Sequence, residues 1–305
     1  MLKVKAESRK RISEILGGYG VTDERQKLLF KSGSVGVSGR IKKADTVLKA
    51  GDTLYVDGLY PELKPESLVV YNDENFFVMS KPGGMDCITR RDTGRETLYG
   101  FAAEYMKSRG EYDMDRLKIP YICEQVDKRS GGLVMIAKNE ENFGLLMQAV
   151  KERRIVRILN AYVGAIPRKS SGELMGFASS VIEDENITVY RKQEKGTVPV
   201  VTRYRVIDSN VGVSLIEATC LNGGVSVMRA QLAANGMPVI GDKEYGKKTV
   251  NSRFNLENPA IAVERFIFST GTNNPLEYLN LKTVSSDKDE LPELRLKKGG
   301  SRRQR

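Results

Sequence analysis

Apolar and polar positions switch repeatedly between helical and strand period along the chain. Residues 9–16 (RKRISEIL) have helical spacing and predict a short amphipathic helix ended by Gly17 and Gly18. Thr22 then stands as an N-cap, with Asp23 and Glu24 in the first turn, where their charges oppose the helix dipole. That second helix is predicted to run to Gly33. SVGVSGRI (34–41) and KAGDTLYV (49–56) alternate around glycine turns and predict strands. Two helices and a small basic sheet make a unit over 1–58, and 59–67, with Pro61 and Pro65, reads as a linker.

From Leu68 the pattern is mostly strand. LVVYNDENFFVMSKPGG (68–84) predicts strand, turn, strand and a Pro-Gly stop. Helices are predicted over 97–109 and 139–153, the latter with Phe143, Leu146, Met147 and Val150 on one face. Between them, 119–137 holds a turn and the apolar strand LVMIA. ILNAYVGAI (158–166), SSVIE (179–183), NITVYRK (186–192), PVVTRYRVID (199–208) and GVSLIEATCL (212–221) follow as strands. SVMRAQLAANG (226–236) predicts a helix closed by Gly236, and PVIGDKEYG (238–246) a turn-rich stretch. ERFIFST (264–270) and LEYLNL (276–281) finish the folded part. Strands with few helices and no βαβ alternation indicate an α+β domain over 68–290 on a mainly antiparallel mixed sheet. The basic stretch 291–305 reads as a disordered tail.

Composition narrows the chemistry. The 305 residues contain no histidine and no tryptophan. Imidazole is thereby excluded as general base, zinc ligand and triad member. Cys87, Cys123 and Cys220 are too scattered for a disulfide framework or a tetrahedral metal site, which suits a reducing cytoplasm. Catalysis must rest on carboxylates, Lys, Arg, Tyr, Cys or Ser. No apolar run approaches the length needed to cross a bilayer, and the first residues carry no apolar signal region, so no membrane partner is expected. The net charge of +10 is concentrated at the ends. Residues 1–50 hold twelve Lys/Arg against five Asp/Glu, and 295–305 hold six Lys/Arg and no acid. Such clusters attract a polyanion, and RNA phosphates fit them; a solvated basic surface is the alternative. Arg9, Lys10, Arg11, Arg25, Lys27, Lys31, Arg40, Lys42 and Lys43 are the candidate contacts. KERRIVR (151–157) is either a solvated helix end or a phosphate-contacting edge.

Four blocks now point to a family. They are YNDENFFVMSKPGGM (71–85), VDKRSGGLVMIAKNEEN (126–142), AVKERRIVRILNAYVGAIP (149–167) and LNGGVSVMRAQLAANGMPVIGDKEYG (221–246). In order and spacing, residues 69–283 resemble the RluA-type pseudouridine synthases, and 9–57, with SGSVGVSGRIKKADTVLKAGDTL, resemble an S-four-type RNA-binding domain. The resemblance implies isomerisation of uridine to pseudouridine in rRNA or tRNA by a monomer that needs no metal and no redox cofactor. It implies Asp127 as nucleophile and Arg229 as its ion-pair partner, with Gln125, Lys128, Arg129 and Leu159 around the substrate.

Several polar positions of the family pattern are exchanged. Glu124, Gln125 and Val126 stand where the family has His-Arg-Leu, and Leu159 where it has its active-site tyrosine. Gly224 and Ser226 stand in place of an arginine and a histidine, and Gln231 and Met237 in place of two further histidines. Lys81, Pro82, Gly84, Gly132, Gly236, Gly241, Asp242, Tyr245 and Gly246 are kept. Two readings therefore stand: an RNA pseudouridine synthase, or a relative without turnover that serves as an RNA-binding or ribosome-assembly factor. Asp127 and Arg229 within salt-bridge distance, in a cleft wide enough for a nucleotide, favour the first; side chains that point apart, or a Leu159 that fills the base pocket, favour the second.

Overall fold

The Thr22 hydroxyl accepts a hydrogen bond from the Arg25 backbone N–H at 3.4 Å and caps the helix Asp23–Lys31. Gly33, at φ +71°, turns the chain away after it. The preceding helix is shifted from its expected place: it spans Ile12–Gly18 and so includes both glycines, while Lys10–Arg11 pair as a short strand with Val47–Leu48. The buried pair Ile12 and Leu16 sets the helix face, and residues 9–11 have no apolar side to bury. Leu2–Lys5 forms a strand that the pattern did not predict. It pairs with Thr53–Val56, and the sheet continues through Val35–Val37 to Arg40–Ile41. Leu29, Leu48, Leu54 and Val56 join Ile12 and Leu16 in one core.

The computed structural model describes residues 1–89, 91–180, 186–288 and 290–294. They divide into one unit of 1–68 with 84–112, and another of 69–83 with the chain from 113 onward. Where the pattern suggests one cut across 59–67, the helix Leu98–Ser108 thus belongs to the first unit. Thr97 caps that helix by accepting from the Gly100 N–H at 3.1 Å. Most of the expected strand 179–183 and residues 295–305 of the expected tail lie outside the described residues.

In the second unit the strands lie in the spatial order Val189–Tyr190, Ser171–Ala178, Val198–Asn210, Val213–Cys220, Ile155–Val163, Ile261–Phe268, Gly131–Ala137, Phe76–Lys81, Val69–Asn72. Tyr121–Ile122 adds to Gly131–Ala137, and Thr283–Ser285 to Ile261–Phe268. All these pairings are antiparallel except Gly131–Ala137 with Ile261–Phe268. The structure is therefore α+β on a mainly antiparallel mixed sheet, as expected. The segment 276–281 contains a 3-10 turn, Glu277–Leu279. Asn139 caps Glu140–Lys151 through the Asn142 N–H at 2.8 Å. The helix Val225–Ala234 is buried from Val225 through Leu232.

The one parallel pairing brings two backbones together at Gly132. Its φ is +105°, and a Cβ there would lie 2.2 Å from the Val263 nitrogen. Gly132→Ala is expected to cost on the order of 3 kcal/mol or more, since neither backbone can yield; urea denaturation measures it. Glu217 offers a second check. Burial works to raise its carboxyl, but hydrogen bonds and charge from Arg265 and Arg205 prevail and hold it below the ordinary 4.5. Its contribution is full above pH 4.5 and lost as pH falls through the lower folded value. Relative to Glu217→Gln, the wild type should lead in melting temperature at pH 7 and lose that lead in acid.

Candidate active site

The strand Phe76–Lys81 ends in a lysine that is fully buried. Its ammonium donates to the carbonyls of Ser130 at 2.6 Å, Asp127 at 3.1 Å, and Lys128 and Pro82 at 3.4 Å. A charged donor facing several carbonyls fixes the turn 127–130 through its main chain. Within the turn, Asp127 Oδ1 accepts from the backbone N–H of Arg129 and of Ser130, each at 3.0 Å. Oδ2 accepts from the Ser130 hydroxyl at 2.6 Å.

The fourth donor comes from the buried helix. Arg229 Nη1 donates to Asp127 Oδ1 at 3.0 Å, with side-chain exposures of 1% and 2%. Arg229 also makes a two-pronged contact with Asp242, Nε to Oδ2 and Nη2 to Oδ1, each at 2.9 Å, and Nη2 donates to Glu244 Oε2 at 2.8 Å. Burial works against the charge of Arg229. The Asp242 hydrogen bonds and the charges of Asp127, Asp242 and Glu244 outweigh it, so the guanidinium is held more firmly protonated than a free one. Arg229 therefore lies inside the fold and not on the exposed face of its helix.

The other expected site residues are placed as follows. Gln125 is exposed, and Lys128 and Arg129 are half-buried. Arg129 Nε lies 3.5 Å from Glu244 Oε1, and its Nη1 is buried without a hydrogen-bond partner among the described residues. Leu159 is buried in the strand Ile155–Val163, at a register shift after Ile158. Tyr162 lies on the other face, as its spacing predicts. Gln231 donates to the carbonyls of Leu174 and Val200 at 2.9 and 3.1 Å, so it braces the helix against two strands. Cys123 is buried and is no nucleophile, because burial pushes its thiol up to about 12. Among the amino-terminal cations, Arg9, Lys10, Arg11, Lys27, Lys31, Arg40 and Lys43 are exposed and Lys42 is half-buried. Arg11 pairs with Asp45 at 3.3 Å, and Arg25 with Glu96 at 3.1 Å and the Gly94 carbonyl at 2.8 Å.

Ser130, Glu244 and Arg157 were not singled out for the site from sequence. Arg157 is the most instructive. Its guanidinium pairs with Glu124 at 3.0 Å and reaches the carbonyls of Gln125 at 3.4 Å and Gly223 at 3.5 Å. It thereby ties the loop that leads into Asp127 to the loop that precedes the Arg229 helix. The signal was an arginine inside the apolar run IVRIL. Of the other cations in KERRIVR, Arg154 pairs with Glu152 at 2.6 Å.

Removing one partner of a nearly buried pair costs about 3 kcal/mol. Half of that, spent on local opening, raises the open population about tenfold. Cys123, beside Glu124, reports it. In the wild type, Cys220 should react with a maleimide well before Cys123; in Arg157→Ala, Cys123 labelling should accelerate about tenfold or more.

A sequence profile described as RNA pseudouridylate synthase matches residues 75–234. A protein named as an uncharacterized RNA pseudouridine synthase from Aquifex aeolicus is 26% identical over 234 residues, covering 73% of this chain and 72% of its own length. Ribosomal large subunit pseudouridine synthase C of Rickettsia conorii is 26% identical over 235 residues, covering 70% of this chain and 74% of its own. Among solved structures, human RNA pseudouridylate synthase domain containing 4 shares the fold with a TM-score of 0.57 at 16% identity, over 75% of this chain and 91% of its own. Human RNA pseudouridylate synthase domain containing 1 does so with a TM-score of 0.51 at 19% identity, over 74% and 89%. The profile spans just over half of the chain and takes in both Asp127 and Arg229, so the chain belongs to the RNA pseudouridylate synthase family.

Proposed function

We propose that this protein converts uridine to pseudouridine in structured ribosomal or transfer RNA, with Asp127 as nucleophile. The buried ion pair of Asp127 and Arg229, inside the region that matches the family, carries this reading. The carboxylate attacks the ribose C1′ or promotes loss of the base. The N1–C1′ bond breaks, the uracil turns, and C5 joins C1′. Arg229 neutralises and orients the carboxylate. Asp127 Oδ1 is saturated by three donors, whereas Oδ2 holds the Ser130 hydroxyl alone among the described residues. Oδ2 is thus the attacking oxygen, freed when that hydroxyl rotates. Lys128 and Arg129 flank it, Leu159 supplies an apolar face for the uracil, and exposed Gln125 lies two residues before the carboxylate.

The amino-terminal residues 1–58, as an S-four-like domain, dock phosphates through Arg9, Lys10, Arg11, Lys27, Lys31, Arg40, Lys42 and Lys43, while Arg25 serves chiefly to hold Glu96 and the Gly94 carbonyl. Catalysis falls to the second unit, 69–83 with the chain from 113 onward, and 291–305 serves as a basic tail. The protein acts as a cytoplasmic monomer without metal or cofactor.

A second reading draws on the enclosure of Asp127 and the burial of Leu159. A relative that keeps the fold and binds RNA without turnover would have both. Mapping pseudouridines in total RNA from a strain lacking the protein separates the two. Wild type should introduce pseudouridine and Asp127→Ala should introduce none, with RNA affinity retained in both. RNA binding by the wild type without any pseudouridine would leave only the second reading.

A further inference from the structure

Pseudouridine formation needs a base as well as a nucleophile. When C5 bonds to C1′, that carbon still carries its hydrogen, and the ring is an isomer of the product. The C5–H electrons must re-form the C5=C6 bond, the C6=N1 pair must move to N1, and N1 must gain a proton. Nothing is oxidised or reduced. Because the step restores ring conjugation, a carboxylate is a strong enough base for it.

Three carboxylates surround Arg229, and they differ in access. The side chain of Asp242 is 0% exposed and that of Asp127 2%, whereas that of Glu244 is 37% exposed. Asp242 is fully engaged: beyond Arg229, its Oδ1 accepts from the backbone N–H of Glu244 at 2.9 Å and of Tyr245 at 3.0 Å. Asp127 and Glu244 sit on the two terminal nitrogens of one planar guanidinium, Nη1 and Nη2. They are therefore neighbours, with Glu244 on the side that meets solvent. A uracil presented to Asp127 arrives from solvent.

The other groups nearby are poorly suited to the task. The Ser130 hydroxyl is engaged with Asp127. The Tyr245 hydroxyl accepts from the Ile187 N–H, and burial raises its phenol, so it is no base near neutrality. Lys81 is buried against carbonyls. The chain has no histidine, and Leu159 carries no proton acceptor.

We infer that Glu244 is a catalytic residue of this isomerisation: the base that removes the proton from C5 and returns it to N1 directly or through water. The inference rests on the pseudouridine synthase reading and adds to it. Arg229 and Arg129 hold the carboxylate in place, and its remaining exposure leaves room for the ring.

Single-turnover rates on RNA carrying uridine or C5-deuterated uridine test the assignment. Glu244→Gln keeps an acceptor for Arg229 but removes the base. It should slow product formation by about 10²-fold, leave RNA affinity unchanged, and show a C5 hydrogen/deuterium isotope effect larger than that of the wild type. Glu244→Asp should restore part of the rate. An unchanged rate in Glu244→Gln overturns the inference while the isomerase reading stands. So does a slower rate with no larger isotope effect, which would mark Glu244 as a support for Arg229. A wild type that makes no pseudouridine overturns both.

Discussion

The candidate active site of this protein depends on the burial of one guanidinium. Taking Arg229 out of water costs several kcal/mol unless charge and hydrogen bonds replace the solvent. Asp242 supplies the largest share through its paired contact, and Glu244 and Asp127 supply the rest. The cluster is interdependent. Asp242 anchors the arginine, the arginine fixes Asp127, and the turn around Asp127 completes the carboxylate's shell. Removal of Arg229 leaves Asp127 and Asp242 buried without their cation, which is costlier than the pairs are worth.

Two cations, from strands separated by two others in the sheet, hold the loop of Asp127 from different directions. Lys81, at the end of Phe76–Lys81, grips the main chain of 127–130, and Arg157, in Ile155–Val163, grips the approach at Glu124 and Gln125. The sheet thereby does more than bury apolar surface. Its register, fixed in part by the close approach at Gly132, delivers both cations to one loop.

What could be read beforehand follows from the range of the interactions. The caps at Thr22, Thr97 and Asn139 are local and were legible, as was the strand-rich pattern after Leu68. The start of the first helix was misplaced because a distant strand, Val47–Leu48, draws Lys10–Arg11 into pairing. Asp127 and Arg229 were found through the blocks they sit in, not through their individual surroundings. Ser130, Glu244 and Arg157 were not, since a serine in a turn, an acid in a turn-rich stretch and a single arginine within a strand have ordinary local roles. Only the packing gives them others. Glu124 likewise takes its role from packing, with Arg157 as its partner.

The grip of Lys81 on carbonyl oxygens bears on how this site can evolve. Every residue type offers the same carbonyl, so the shape of the turn is insulated from the identity of the side chains at 128 and 129. Position 128 can therefore drift while Asp127 stays in register, whereas Arg129 is tied to Glu244. A lineage built on this turn can vary the rim beside Asp127 without rebuilding its frame.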